Sequence, residues 1–444
     1  MARFAHAAAA AVAALVLAAC SPDFTAPPAA ADADAALVPL RTSQGPEEVV
    51  EGEVIVGLFA GASVSEVARA HGLALAASAD RGAFAILSTS AGSERATAKA
   101  LESDPRVRYA EPNYLRQPTT IDPRLWAFQN PGGLNMKYST GANTGSFLAS
   151  SYASTSDADE DNIEGYAAGG ADVVVGSIDT GVDFTHGEFR NADGSSRLIA
   201  GRDWYGKDNN PADEDGHGTH TTGTMIGNTV GIAGVSGAGS HVKVYVQRVC
   251  GRRGCPTSAI VSAIRAAADY GVVAMNLSLG GTSESQAEID AIAYATSKNA
   301  IVIASAGNSG TTTVACPACD ANAISVAATT WADQLAPYSQ QGTGLDISAP
   351  GGSCYSNTTP EGCIYSAFKG GTYAWEQGTS MAAPQVTGTA AIVASKRGLR
   401  GSALRSQLLG TADDLGAAGY DTQFGSGRVN SYRAVTGSTL AAGQ

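Results

Sequence analysis

Residues 173–181 read V-V-V-G-S-I-D-T-G, and this stretch decides the fold class. The apolar, β-branched run at 173–178 is typical of a strand buried on both faces, as strands of parallel sheets are. Asp179 follows the run directly, so we expect its carboxylate at the carboxyl end of that strand, where open parallel sheets gather ligands and chemistry. Most isolated D-T-G matches are turn caps. In this context, the stretch predicts an α/β fold with a mostly parallel central sheet flanked by helices, and it makes Asp179 a candidate functional residue.

A second motif, H-G-T-H-T-T-G-T at 217–224, follows a polar, glycine-bearing stretch and predicts a loop that leads into a helix. An imidazole has an unperturbed pKa of about 6.5, which suits a base that later returns its proton. His220 lies one helical turn after His217, which raises the alternative of a metal-binding pair. That alternative lacks the H-E-x-x-H spacing and its glutamate. We therefore predict His217 as a general base and His220 as a packed helix residue.

Two further motifs, A-S-A-G-N at 304–308 and G-T-S-M-A-A-P at 378–384, supply an amide and a hydroxyl. The first follows an apolar run, so Asn308 should emerge at the carboxyl end of a strand and donate to a developing oxyanion. Ser380 precedes a helix-compatible run in which Pro384 is tolerable in the first turn. The free N–H groups and the dipole of that helix would face the same negative charge.

Three of these side chains are the parts that a nucleophilic serine needs. A serine hydroxyl is a poor nucleophile at neutral pH, so it requires a base within hydrogen-bond reach and a third group that holds the base in the right tautomer. Ser380, His217 and Asp179 are the candidates for these roles. An α/β-hydrolase would place its serine first and carry G-x-S-x-G, whereas this serine comes last, inside G-T-S-M-A. The order and the flanking residues indicate a serine peptidase.

The motifs D-T-G, H-G-T-H, A-G-N and G-T-S-M-A-x-P, in this order, resemble those of the subtilisin family of serine endopeptidases. The resemblance implies an Asp-His-Ser triad in which Asp179 orients His217, His217 acts as general base and acid, and Ser380 is the nucleophile. It implies an oxyanion hole formed by Asn308 and the backbone N–H of Ser380. It also implies protein or peptide substrates, cleavage through an acyl-enzyme, and no cofactor in the chemistry.

The run V-V-A-M-N-L-S-L-G-G at 272–281 extends this resemblance to the substrate site. It is similar to the strand and loop that form one wall of the family's primary specificity pocket. The resemblance implies that Ser278, Leu279 and Gly280 line the substrate backbone. The alternative from another class is a catalytically inactive binding or adhesion protein on the same fold, but every catalytic position of the motifs is occupied.

The amino terminus predicts export. The apolar stretch at 7–19 is shorter than the ~20 residues that a spanning helix needs, so residues 1–19 are predicted as a signal peptide. L-A-A-C at 17–20 resembles the bacterial lipobox, which implies a lipidated Cys20 and a lipid-anchored precursor. An ordinary signal peptidase site in the alanine-rich flank is the alternative. Residues 20–47 are rich in Pro, Ala and Asp and are predicted as a tether.

Residues 48–117, whose folded pattern ends in V-R-Y-A-E-P-N-Y at 107–114, resemble the inhibitory pro-domain of subtilisin-like enzymes. An unrelated α+β module is the alternative. The resemblance implies an intramolecular inhibitor that is cut off between Tyr114 and Thr120, so that an anchor on the pro-domain would be lost and the mature enzyme released to the periplasm or the exterior. The peptidase domain is predicted at 118–436 and a tail at 437–444. The patterns within the pro-domain predict strands at 53–59, 83–88 and 107–111 and helices at 63–71 and 94–102.

Six cysteines after Cys20 fall into three close pairs, and an even number in an exported protein predicts disulfides. The short spacings favour three local bridges that hold surface loops. A zinc site built on C-x-x-C is the alternative, but no second C-x-x-C or partner histidine lies at a suitable spacing. The predicted pairs are Cys250 with Cys255, Cys316 with Cys319, and Cys354 with Cys363.

Side chains with oxygen ligands crowd the loop that precedes His217. Hard oxygen ligands in a flexible loop suit a structural calcium ion, and some members of the resembled family bind calcium there. A solvated acidic loop is the alternative, and the segment 228–234 looks shorter than the calcium loop that follows the histidine in bacterial subtilisins. The predicted ligands are Asp203, Asp208, Asn210 and Asp213.

The composition limits the partners. With 444 residues, 53 of them glycine, and 16% charged residues, the chain is long enough for two domains and fits a globular, loop-rich secreted enzyme. A net charge of −13 argues against nucleic acid or an anionic membrane surface as a partner. We therefore predict that the protein meets the membrane only through a lipidated precursor. We also predict a monomer.

Overall fold

The computed structural model describes residues 49–78, 84–118, 135–140, 143–148, 169–228, 234–237, 240–330, 333–353 and 362–437. Outside these residues lie the predicted signal peptide, the tether with Cys20, the tail after residue 437, Cys354 and most of residues 132–161, a stretch rich in Ser, Thr and Asp. Among the helices that the structure describes, we find no candidate for a membrane span.

Strands and helices alternate along most of the described chain. The strands are β1 (Val49–Leu58), β2 (Ala74–Ser78), β3 (Ala85–Ser88), β4 (Val107–Pro118), β5 (Asn135–Thr140), β6 (Asn143–Leu148), β7 (Gly169–Asp179), β8 (Leu198–Asp203), β9 (Ser240–Arg248), β10 (Cys255–Pro256), β11 (Ala274–Leu277), β12 (Leu279–Gly280), β13 (Ile301–Ser305), β14 (Ala323–Thr329), β15 (Ile347–Pro350), β16 (Ile364–Phe368) and β17 (Thr372–Glu376). The helices are α1 (Val64–Ala70), α2 (Glu94–Leu101), α3 (His217–Ile226), α4 (Thr257–Tyr270), α5 (Gln286–Ser297), α6 (Thr379–Arg397), α7 (Gly401–Gly410) and α8 (Ser431–Thr436).

A parallel sheet is the centre of the peptidase residues and confirms the predicted fold class. Within the described residues its strand order is β15-β14-β13-β11-β7-β9-β8, and every neighbouring pair is parallel. All residues of β13 and β14 are buried, as expected for strands covered on both faces. The carboxyl ends of β7 and β13 therefore lie at one edge of the sheet, where Asp179 ends its strand and Asn308 follows shortly after β13.

Helices cover both faces of this sheet. On one face, apolar side chains of α3 and α6 pack on β7, β9 and β14 in a single buried cluster. On the other face, α4 and α5 pack on β11 and β13. Helix α6 is buried along its length from Thr379 to Ser395, so its alanine-rich sequence fits a position between the sheet and α3. The amino-terminal ends of these helices surround the functional edge of the sheet.

The N-terminal domain is a small antiparallel sheet with the order β4-β1-β3-β2, on which α1 and α2 pack. Two of our expectations for it need correction. We did not predict β2, because its alanine-rich sequence favours a helix when taken alone, whereas pairing with β3 makes it a strand. We predicted that the last strand ends at residue 111, but β4 continues to Pro118, because its second half pairs with β10 and β12 of the peptidase domain.

Candidate active site

The carboxylate of Asp179 and the imidazole of His217 form a buried hydrogen-bonded pair. Strand β7 ends at Asp179 and α3 begins at His217, and Nδ1 of His217 lies 2.6 Å from Oδ1 of Asp179. The carboxylate also accepts hydrogen bonds from the backbone N–H of Thr180 at 2.7 Å and from Oγ1 of Thr221 at 3.3 Å. Because Nδ1 donates to Asp179, Nε2 is the nitrogen that can accept a proton.

The charges around His217 favour its protonated form. Burial opposes the charge, but the attraction and the hydrogen bond of Asp179 outweigh burial and, with a contribution from Glu376, raise the pKa of His217 to about 9. Burial raises the pKa of Glu376 to about 8, although the nearby His217 acts in the opposite direction. Our sequence analysis missed Glu376, because a glutamate four residues before the serine forms no motif by itself.

Helix α3 approaches the end of β7 so closely that glycine is required. A Cβ on Gly218 would lie 2.1 Å from the carbonyl oxygen of Gly181, and the N–H of Gly218 donates to Oγ1 of Thr180 at 2.8 Å. The loop before the helix is ordered by Asp213, which accepts from Oγ1 of Thr180 and from the N–H of Thr219, both at 2.9 Å. The D-T-G and H-G-T-H motifs thus fix how the helix meets the strand.

Ser380 lies in the first turn of α6, beside the connection between β11 and β12. Its hydroxyl donates to the carbonyl oxygen of Ser278 at 3.4 Å. We expected Pro384 in the first helical turn, but it lies further inside α6 and removes the N–H that would bond the Ser380 carbonyl oxygen. The Ser278 hydroxyl replaces this donor at 2.8 Å and is itself bonded by Nδ2 of Asn276 at 2.9 Å.

Asn308 faces the start of α6 with its amide in a defined orientation. Oδ1 of Asn308 accepts from the backbone N–H and from Oγ1 of Thr379, each at 2.9 Å. Nδ2 of Asn308 is buried and has no hydrogen-bond partner among the described residues, and the same is true of Nε2 of His217. A buried, unsatisfied polar group costs about 1–3 kcal/mol. Nδ2 of Asn308 and Nε2 of His217 therefore need a functional explanation.

The end of β4 lies between two short strands of the peptidase domain. Pro118 and Gln117 pair antiparallel with Leu279 and Gly280 of β12, two of the residues expected to line the substrate, and the third, Ser278, contacts Ser380. On the other side, Leu115 and Arg116 pair with the two residues of β10. Our sequence analysis missed β10 as a peptide-binding strand, since nothing in C-P indicates it.

The predicted calcium ligands do not form an oxygen cage. Asp203 pairs with the guanidinium of Arg248 at 3.0 Å and accepts from a backbone N–H, while both oxygens of Asp213 accept from donors around α3. Asp208 accepts from the backbone N–H of Asn210. In the described part of the chain, no three His, Cys, Asp or Glu side chains are arranged to hold a metal ion. Protein donors occupy the carboxylate oxygens of Asp203 and Asp213, so within the described residues the four predicted ligands do not form a ready-made calcium site.

The cysteine pairs agree with the local bridges that we predicted, as far as the structure describes them. Cys250 is bonded to Cys255 and Cys316 to Cys319. Cys363 is also disulfide-bonded, and its predicted partner Cys354 lies outside the described residues.

Comparisons with known proteins agree with this geometry. Residues 170–427 match the subtilase family, and residues 38–113 match the fervidolysin N-terminal prodomain. A thermophilic serine proteinase of Bacillus sp. (strain AK1) is 34% identical over 394 residues, which cover 87% of this chain and 88% of the relative. Thermitase of Thermoactinomyces vulgaris is 35% identical over 269 residues, 60% of this chain and 90% of thermitase.

A similar structure extends the likeness to both domains. The crystal structure of fervidolysin from Fervidobacterium pennivorans, an enzyme related to subtilisin, matches with a TM-score of 0.67 and 25% identity, covering 88% of this chain and 62% of that chain. The family match spans more than half of the chain, and the AK1 proteinase is aligned over most of its length. The chain therefore belongs to the subtilase family of serine proteases and carries an N-terminal prodomain.

Proposed function

We propose that the chain is an endopeptidase that hydrolyses peptide bonds through an acyl-enzyme, with Asp179, His217 and Ser380 as its catalytic triad. The observation that carries the proposal is a pair of buried atoms without partners among the described residues: Nε2 of His217, which can accept a proton, and Nδ2 of Asn308, which can donate one hydrogen bond or two. The same Asn308 amide is held at the start of α6 by Thr379, the residue before Ser380. A protein that used this fold only for binding would gain nothing from leaving both atoms without partners.

In the proposed reaction, Nε2 of His217 takes the hydroxyl proton of Ser380 while Oγ attacks the carbonyl carbon of the scissile bond. Nδ2 of Asn308 and the backbone N–H of Ser380, at the positive end of α6, stabilise the oxyanion. The imidazolium, held by Asp179, gives its proton to the leaving amine, and the acyl chain stays bonded to Ser380. A water molecule that loses a proton to the same imidazole then hydrolyses the ester.

Active-site labelling tests this proposal. We expect a fluorophosphonate probe to label processed wild-type protein at Ser380, and we expect Ser380→Ala and His217→Ala to abolish both the labelling and the hydrolysis of a peptide library. The library also gives the cleavage preference. Folded, processed protein whose Ser380 ignored the probe would instead favour a catalytically inactive binding or adhesion protein.

We also propose that residues 48–117 act as an intramolecular inhibitor of the peptidase domain, residues 118–436. Two side chains of β4 support this role, because they bond the free N–H groups at the starts of two peptidase helices. The carboxylate of Glu111 accepts from the backbone N–H groups of Gln286 and Ala287 in the first turn of α5, each at 3.0 Å. Oδ1 of Asn113 accepts from the N–H of Ser258 in the first turn of α4, also at 3.0 Å.

We propose self-cleavage between Tyr114 and Thr120, at a bond that follows Pro118. The register supports this narrower range, because Pro118, the last residue of β4, pairs with Leu279, which directly follows Ser278. The carbonyl oxygen of Ser278 is the acceptor of the Ser380 hydroxyl. Intact-mass measurement of the processed enzyme tests the position, and a mature chain that begins before residue 119 would refute it.

The cellular setting remains a proposal from the sequence: an exported bacterial precursor, lipidated at Cys20, whose mature enzyme is a monomer in the periplasm or outside the cell. The names of the similar proteases agree with a bacterial source. A structural calcium ion would be indicated by a fall in thermal stability on chelation that calcium restores.

A further inference from the structure

We propose that two disulfides, Cys250 with Cys255 and Cys316 with Cys319, position the strands that bind the main chain of the substrate. In this role they set the affinity for extended peptides, not the chemistry at Ser380 and not the global fold. The inference rests on the proposed peptidase function, and it gives the two disulfides a role in substrate binding at that same site. The binding strands are β10 and β12, because the chain's own segment 115–118 already pairs with both of them.

The first bridge connects β10 to the end of the strand that carries the catalytic aspartate. Cys255 belongs to β10 and is fully buried. Its partner Cys250 donates its backbone N–H to the carbonyl oxygen of Asp179 at 3.2 Å. The carbonyl oxygen of Cys250 accepts from Nε of Arg248 at 3.3 Å. One half of the bridge is therefore fixed to the catalytic edge of the sheet, and the other half is part of the strand that binds the peptide.

The second bridge supports β12 in the same way. Gly281 directly follows β12 and exchanges two backbone hydrogen bonds with Cys316, at 2.8 and 2.9 Å. The neighbouring Ala315 donates its N–H to the carbonyl oxygen of Ala306 at 2.8 Å, in the turn that leads to Asn308. The loop closed by the second bridge thus lies between a substrate strand and the turn of the oxyanion donor.

The size of these loops argues for a local task. The bridged cysteines are only five and three residues apart, and the loop-entropy contribution of a disulfide to global stability falls as its loop becomes shorter. By contrast, β10 and β12 are each two residues long. Two residues can form only a few backbone hydrogen bonds with a partner strand, so we expect a covalent brace to limit the local opening of each strand.

Removing each bridge separately tests the inference. In processed enzyme, Cys250→Ala with Cys255→Ala, and Cys316→Ala with Cys319→Ala, are compared with wild type on succinyl-Ala-Ala-Pro-Phe-p-nitroanilide and on p-nitrophenyl acetate. The tetrapeptide can pair with both strands, whereas the acetyl group reaches neither. We expect KM for the tetrapeptide to rise about tenfold, equivalent to roughly 1.4 kcal/mol, while the rate with the acetate changes less than about twofold.

A matched control removes the third predicted pair, Cys354 and Cys363. Cys363 immediately precedes β16, which pairs with β17 and not with a substrate strand, so KM for the tetrapeptide should stay at its wild-type value. Equal changes for both substrates, no change for either, or the same rise in KM in the control would overturn the inference. The rate at which a fluorophosphonate labels Ser380 separates this outcome from a failure of the peptidase proposal, which would leave even wild type unlabelled.

Reduction of folded wild type covers the case in which a variant does not fold. Mature enzyme is treated with tris(2-carboxyethyl)phosphine, its free thiols are counted, and the same two substrates are assayed before and after reoxidation. We expect a reversible rise in KM for the tetrapeptide with the acetate rate retained. Reduction of both bridges with an unchanged KM would refute the inference.

Discussion

Asn308 and His217 each hold one buried polar atom, Nδ2 and Nε2, that has no hydrogen-bond partner among the described residues. Their other polar atoms are fully used: Oδ1 of Asn308 accepts from Thr379, and Nδ1 of His217 donates to Asp179. This division has a physical consequence, because the used atom fixes the orientation of the side chain and the unused atom is then held ready without reorganisation. Electrostatic stabilisation of this prearranged kind is often the largest single contribution to catalysis.

Removing the amide of Asn308 should therefore slow acylation. For Asn308→Ala we expect kcat to fall by about 100- to 1000-fold with little change in KM, which is the loss known for the corresponding donor in subtilisin, the namesake of this family. Asn308→Asp keeps an acceptor for Thr379 but offers no donor, so it should lose at least as much. Steady-state kinetics on a peptide p-nitroanilide measures both. A rise in KM with kcat unchanged would assign Asn308 to substrate binding instead.

The raised pKa of His217 predicts an alkaline activity profile. The imidazole must be neutral to act as a base, so kcat/KM should rise with increasing pH. The midpoint of this rise should lie above 6.5, shifted towards the raised pKa of about 9. The stabilisation from the charged pair with Asp179 has the opposite sign: it is fully present below the unfolded-state pKa and is lost as pH rises through about 9. A pH profile of kcat/KM checks the first statement and thermal unfolding the second.

Glu376→Gln tests the source of part of this shift. Removing the carboxyl charge should lower the pKa of His217 and move the acid limb of the kcat/KM profile towards neutral pH, because Glu376 contributes to raising that pKa. Glu284→Gln, at an exposed position, is the matched control and should leave the midpoint in place. A limb that moved to higher pH, or the same shift in both variants, would contradict the assignment.

Strand β4 joins the two domains by more than chain connectivity. Its first half completes the sheet of the N-terminal domain, its Glu111 and Asn113 bond the starts of α5 and α4, and its last residues pair with β10 and β12. Helix starts leave N–H groups unsatisfied, and side-chain acceptors there stabilise the helix. The same contacts that dock the prodomain therefore also complete two helices of the peptidase domain.

Glu111→Ala should weaken this docking. Hydrogen bonds to a charged group contribute about 1.5–3 kcal/mol, so we expect the inhibited complex to loosen by roughly 10- to 100-fold. In freshly processed protein whose prodomain is still bound, the rate of fluorophosphonate labelling at Ser380 should be higher in Glu111→Ala than in wild type. Glu66→Ala, an exposed position on α1, is the control. Unchanged labelling in Glu111→Ala would show that the two strands β10 and β12 alone hold the inhibitor.

The sequence predicted the elements that a few neighbouring residues specify. The apolar run before Asp179 and the glycine before Ser380 indicated a strand end and a helix start, and the structure has both. The extension of β4 to Pro118 could not be predicted, because its pairing partners lie more than 130 residues further along the chain. The role of Asp213, which orders the loop before α3, could not be predicted for the same reason. The sequence shows its carboxylate, but it does not show the N–H groups that donate to it in the folded chain.

In the whole molecule, the end of β4 connects the prodomain to the peptidase domain. Residues 115–118 pair with β10 and β12, and Ser278, whose carbonyl oxygen accepts from the Ser380 hydroxyl, directly precedes β12. Under the proposed function, a prodomain bound in this way would occupy the position of a substrate, and cutting the chain after it would remove the covalent link between the two domains. The cut would then separate everything that precedes it, including the proposed lipid on Cys20, from the peptidase domain.

Cell fractionation of wild type and Ser380→Ala tests this consequence. If the precursor is anchored through Cys20 and cuts itself after the prodomain, the wild-type catalytic domain should appear in the soluble fraction, while uncut Ser380→Ala should stay with the membrane, because several acyl chains anchor a protein stably. Cys20→Ser in the Ser380→Ala background, which removes the attachment site but not the peptidase fold, should free the precursor from the membrane. Processed catalytic domain that still partitioned with lipid would contradict the proposed release, whereas a Ser380→Ala precursor that was soluble from the start would contradict the anchor.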